Sequence, residues 1–170
     1  DIAGKYSAAS AIGKIIFLGI IAISKAMLPL TSEKFHNKEN TKPLFKKSLM
    51  IIALISGIIL LFYLFVPSLI IKILFGNKYT DVSNILFIMG LSFTFLSFVN
   101  IIVLYGLSIN RIKNSSYSLF IFVILEVVLF YLFHDSLMQY SIVFLIINFL
   151  MFIYSLFLIR NNDINNKSSI

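Results

Sequence analysis

Five apolar runs, at residues 8–30, 48–71, 82–109, 115–133 and 136–159, fill most of the chain, and three of them carry no charged residue. Each run holds roughly 19 to 28 residues, and at about 1.5 Å of rise per residue a helix of that length crosses a hydrocarbon core of about 30 Å. Lipid offers backbone groups no water to bond, so only helices or closed barrels cross it. A barrel strand would alternate apolar and polar positions over about ten residues, and 48–71 alternates nowhere. The sequence therefore predicts an all-α, polytopic transmembrane helical bundle of five spans over residues 1–160. A tail over 161–170, rich in Asn and Ser, is expected to be disordered and cytoplasmic.

Hydrophobic residues make up 59% of the chain and the mean hydropathy is +0.99, above the roughly 45–50% apolar content of a soluble domain, so the lipid bilayer is the expected solvent for the surplus. The net charge of +7 lies between the apolar runs rather than on one face, which argues against nucleic acid as a partner. With no cysteine there is no disulfide, thiol nucleophile or thiolate metal site. His36 and His134 fall in connections on opposite sides of the membrane, and no Gly-rich phosphate loop or nucleophile elbow is present. Neither catalysis nor a metal or other cofactor is expected. The chain starts at Asp1, close to a run that already contains Lys14 and Lys25, which fits a fragment rather than a signal peptide.

The connections sort onto two sides. One receives residues 31–47, 110–114 and the tail, with Lys34, Lys38, Lys42, Lys46, Lys47, Arg111, Lys113, Arg160 and Lys167; the other receives only Lys5, Lys72 and Lys78. By the positive-inside rule the first side is cytoplasmic, which puts the C-terminus in the cytoplasm of a multi-pass cell-membrane protein. Pro29 with Thr31 and Ser32 is expected to close the first span, and Pro43 to open the next helix. The segment that follows, Leu44-Phe45-Lys46-Lys47, is expected to lie at the membrane surface. Pro67 is expected to kink or end the second span, with Gly76 as a left-handed cap.

Polar residues within the runs are the candidate functional residues. Lys14 and Lys25 stand eleven residues apart and share one helix face. A buried ammonium costs about 2.5 to 3.5 kcal/mol at mid-membrane, so such lysines usually face a cavity or an acid. Lys25 is near enough to the cytoplasmic end to snorkel, whereas Lys14 is deeper and reads as cavity-facing. Glu126, the only acidic residue in any run, must be paired, hydrated or protonated; it is either fixed to Lys14 or Lys25, or is an ion-coupling group or a cavity-lining charge. In the third run Ser83, Gly90, Thr94, Ser97, Tyr105 and Ser108 share a sector of roughly 80°, with Asn100 beside it. That sector is either a packing face or, through Thr94, Ser97 and Asn100, one wall of a hydrated path. Ala9 with Gly13, and Ala22 with Ala26, repeat small residues four apart and suggest close helix packing, and Asn148 suggests an interhelical hydrogen bond.

Several stretches resemble one family. Gly4-Lys5-Tyr6-Ser7-Ala8-Ala9 at the start of a span, Met27-Leu28-Pro29-Leu30-Thr31-Ser32 at its exit, Leu44-Phe45-Lys46-Lys47-Ser48 at the next helix and Pro67 with Ile73-Leu74-Phe75-Gly76-Asn77-Lys78-Tyr79 are similar, in order and spacing, to the second half of lipid-linked polysaccharide (O-antigen or teichoic-type) flippases. These belong to the multidrug/oligosaccharidyl-lipid/polysaccharide exporter superfamily. The likeness covers about residues 4–109; Phe133-His134-Asp135-Ser136-Leu137 has no counterpart of the glycine-containing stretch many members carry there. The resemblance implies two six-helix lobes around a cavity, these five spans being most of the second lobe and the N-terminal lobe its partner. It also implies transport of an isoprenoid-pyrophosphate-linked oligosaccharide by alternating access for polysaccharide biosynthesis. A drug or cation antiporter of the same superfamily would instead use Glu126 as its ion site. A membrane-embedded polymerase or transferase ranks last, because the longest connection is the lysine-rich 31–47.

Overall fold

A computed structural model describes residues 2–110, 119–133 and 136–165, with side chains described for 4–110, 119–133 and 136–159. All of its regular structure is helical: α1 (Ile2–His36), α2 (Lys42–Phe65), α3 (Pro67–Phe75), a 3-10 segment (Asn77–Val82), α4 (Ser83–Ser108), α5 (Leu119–Leu132) and α6 (Leu137–Asn165). Among the described residues, four helices are long and apolar enough to cross a membrane, within Gly4–His36, Lys42–Phe65, Asn77–Ser108 and Leu137–Ile159. The described part of α5 has 14 residues, about 21 Å of helix, and residues 111–118 before it lie outside the description.

The centre of the bundle is α4, which packs against α1, α2 and α6, while α5 leans mainly on α6. The core joins Ile12, Ile16 and Ile20 of α1 with Ile52, Ile71, Leu86, Ile101 and Ile102, all fully buried. Close approach explains why α1 and α4 share so long an interface. A Cβ built on Gly13 would lie 2.8 Å from the Phe93 ring and 3.3 Å from Met89 Cβ, so only glycine lets the two backbones come this near. The expected packing role of Ala9 and Gly13 is therefore seen. Ala22 and Ala26, with the same spacing, are exposed.

Two helix ends depart from the sequence reading, while the break at Pro67 agrees with it. Pro29 does not close α1, which continues to His36; Thr31 and Met27 are buried on the packed side of that stretch, and their burial offsets the lost hydrogen bond. The second run is divided at Val66 (φ −133°, ψ 43°), because Pro67 supplies no N–H to continue the ladder, so α3 starts there as a separate helix. Where a disordered tail is expected from residue 161, α6 continues to Asn165, and residues 166–170 lie outside the description. The expectations for Pro43 and Gly76 agree with the structure: Pro43 sits in the first turn of α2, and Gly76 (φ 85°) ends α3.

Candidate functional site

The face that α1 turns away from the bundle differs from the outward face of α2. Ser7, Ala11, Lys14, Leu18, Ala22, Lys25 and Pro29 are exposed or nearly so and, at about 100° per residue, fall within a sector of roughly 80° nearly opposite the buried isoleucines. Apart from Leu18, that sector holds small residues, proline and two lysines. The outward face of α2 is built from Met50, Leu54, Ile58, Leu61 and Phe65, all exposed. Large aliphatic and aromatic side chains suit lipid; a lysine-bearing face of small residues does not. The structure thus places Lys14 and Lys25 together on one uncovered stripe, as their spacing predicts.

Glu126 stands elsewhere. It is half-buried on α5, close enough to Tyr6 of α1 for the two to interact electrostatically, and the Tyr6 ring lies 5.8 Å from that of Tyr140 on α6. Neither Lys14 nor Lys25 forms an ion pair with it among the described residues. The fixed lysine–glutamate pair considered from sequence is therefore not formed among the described residues.

The polar sector of α4 turns inward. Gly90, Thr94, Ser97 and Tyr105 are buried, Thr94 Oγ1 donates to the Gly90 carbonyl at 2.9 Å and Ser97 Oγ to Phe93 at 2.7 Å. Thr94 and Ser97 thus lie on the packed side of α4, with their hydroxyls bonded to their own helix. Asn100 is half-buried, with Oδ1 enclosed and lacking a partner among the described residues. Asn148 is buried and donates to the Phe144 carbonyl of its own helix at 2.8 Å rather than to a neighbour. A signal passed over in the sequence lies beside it. Ser141, Asn148 and Ser155 recur every seven residues, are all buried, and bond back to their own helix, so they form the slim side of α6.

The two ends of the bundle are tied differently. At one end Lys5 Nζ bonds Asp81 at 2.9 Å. At the other, Thr41 Oγ1 and Tyr105 Oη are 3.0 Å apart and the Phe45 ring stacks on Tyr105 at 4.0 Å. Lys34 Nζ also lies 2.6 Å from Glu39 Oε2, and that hydrogen bond holds the exposed Glu39 carboxyl below its ordinary range. His36 is exposed at this end. Arg111, Lys113, His134, Asp135, Arg160 and Lys167 have no described side chains.

Residues 1–84 match the family model of a polysaccharide biosynthesis protein. The matched part runs from α1 through the 3-10 segment and so includes the whole lysine stripe. No curated protein and no solved structure matches the chain. Apolar helices of spanning length, together with this match, fit a multi-pass membrane protein of polysaccharide biosynthesis.

Proposed function

We propose that the chain is one lobe of a transporter that moves isoprenoid-pyrophosphate-linked oligosaccharides across the cytoplasmic membrane. The observation that carries this reading is the uncovered stripe of α1, with Lys14 and Lys25 set among small residues inside a segment that matches polysaccharide biosynthesis proteins. Sugars stranded in hydrocarbon would lose many hydrogen bonds, so their passage needs a hydrated path. Lysines on its wall supply charge-assisted bonds to phosphate oxygens, and small neighbours leave room for a bulky headgroup. Lys14 and Lys25 are separated by about 16 Å along the helix, so an anionic group leaving one comes within reach of the other as the path opens toward the opposite side. The N-terminal lobe of the same transporter would close the path opposite α1, and rocking of the two lobes would expose it alternately to each side.

Glu126, close to Tyr6 and set against α6, is the group through which an ion gradient would act on this movement. A cation or drug antiporter is the second reading, and that carboxylate is what favours it. The test is translocation of a lipid-linked oligosaccharide by the full-length protein in liposomes. Lys14→Ala combined with Lys25→Ala should abolish translocation while insertion and accumulation stay normal, and the paired arginine variants should retain it. Unimpaired translocation by the alanine pair would refute a path along α1.

A further inference from the structure

The lysines at the start of α2 occupy a different setting from those of α1. Lys42, Lys46 and Lys47 are all exposed; Lys47 lies on the outward side with Met50, Leu54, Ile58, Leu61 and Phe65, opposite the buried Ser48, Ile52, Ser56 and Tyr63, Lys46 flanks that side, and Lys42 stands at the first residue of the helix. Lys46 and Lys47 therefore stand at the head of a lipid-facing stripe, with Lys42 about one turn before them. From residue 48 to Phe65 that stripe covers about 27 Å of helix, close to the thickness of the hydrocarbon. The three exposed ammonium groups consequently fall just beyond the hydrocarbon, in the layer of lipid headgroups.

Their surroundings leave them in need of an anion. No carboxylate lies within ion-pair distance of Lys42, Lys46 or Lys47 among the described residues, whereas Lys34 and Lys5 at the surface each hold one. No acidic residue stands in the first turn of α2, where the helix dipole already carries positive charge and disfavours cations. The arrangement is also held in place. Thr41 is bonded to Tyr105, Phe45 is stacked on the same ring, and Asn40 Oδ1 accepts the Lys42 backbone N–H at 3.1 Å. Three like charges thus stand within two turns, spread over about 7.5 Å along the helix axis, where a fixed backbone meets the bilayer surface.

We infer that Lys42, Lys46 and Lys47 form a binding site for anionic phospholipid headgroups that seats this end of α2 in the membrane. This inference is independent of the transport reading, because it concerns the start of α2 and its readout is lipid binding. Each lysine near an anionic surface contributes about fivefold in affinity, so the three together should give roughly a hundredfold, decreasing with salt.

The experiment is native mass spectrometry of the full-length protein released from bilayers of equal phosphatidylglycerol and phosphatidylcholine. The unaltered protein should retain phosphatidylglycerol preferentially, with the preference weakened at high salt. The variant Lys42→Gln/Lys46→Gln/Lys47→Gln should lose most of it, and the corresponding triple arginine variant should keep it, which separates loss of charge from loss of fold. Helix content by circular dichroism should match across all three. Equal retention of the two lipids by the unaltered protein, or an undiminished preference in the folded glutamine variant, would overturn the inference. Phosphatidylglycerol retained by the arginine variant but not the glutamine variant is the supporting result.

Discussion

Tyr63 joins three helices through one side chain. Its hydroxyl donates to the Ile12 carbonyl of α1 at 2.7 Å, and its ring lies over Gly90 of α4, where a Cβ would meet Tyr63 Cδ2 at 2.6 Å. The bond is buried, so Tyr63→Phe should cost about 1 kcal/mol. Gly90→Ala forces the ring or the helix aside and should cost about 1 to 3 kcal/mol. Unfolding of the reconstituted protein by denaturant measures both, and a Gly90→Ala variant as stable as the original would contradict the close approach. The same scale decides what Glu126 does. Because the fold separates it from Lys14 and Lys25, neutralising either lysine should not rescue Glu126→Gln. If Glu126 serves ion coupling, that variant should accumulate normally while its translocation no longer responds to the ion gradient. Restored accumulation in Glu126→Gln/Lys14→Ala would instead reveal a charge pair that this fold does not form.

At the scale of elements, hydropathy made the long helices legible, since a run of twenty apolar residues has few structural alternatives in lipid. Helix faces were less legible. Ala9 with Gly13 and Ala22 with Ala26 carry the same four-residue spacing, yet α4 covers the first pair and leaves the second exposed; spacing records what a face permits and not whether a partner reaches it. Hydroxyls on α4 were ambiguous for a related reason, because a serine that bonds its own helix suits a packed face as well as a wet one. The lysine stripe was legible, because two charges on one face restrict where a helix can stand. The two prolines show how context decides a helix end: Pro29 is carried through by packing on both sides, whereas Pro67 sits where Leu64, Phe65 and Val66 are all exposed. Pro67→Ala should therefore restore the missing N–H and fuse α2 with α3. Spin labels at residues 58 and 73 should then move apart toward about 22 Å, the length of 15 helical residues; an unchanged distance would assign the break to the surrounding packing instead.

The whole molecule is arranged so that its charges and its contacts agree. Lys5 meets Asp81 and Tyr6 meets Tyr140 at one end, while Thr41 meets Tyr105 at the other. Consequently α1, α4 and α6 run in one direction and α2 in the opposite one. Pairing of Phe130 with Tyr140 and of Phe122 with Tyr154 sets α5 antiparallel to α6. These are the same two ends that lysine counting separates, so the two criteria reinforce each other without sharing a premise. The positive-inside rule then predicts that the end holding Lys34, Lys38, Lys42, Lys46 and Lys47 is the cytoplasmic one. The chain lacks cysteine, so single cysteines report each end cleanly. Lys38→Cys should resist an impermeant thiol reagent in intact cells and react after permeabilisation, whereas Asn77→Cys and Ser136→Cys should react from outside. Labelling of position 38 alone in intact cells would invert the orientation while preserving the fold. Labelling of 38 and 77 together would be more serious, because it would mean that α2 and α3 between them, with the exposed apolar face of Met50, Leu54, Ile58, Leu61 and Phe65, do not cross the membrane.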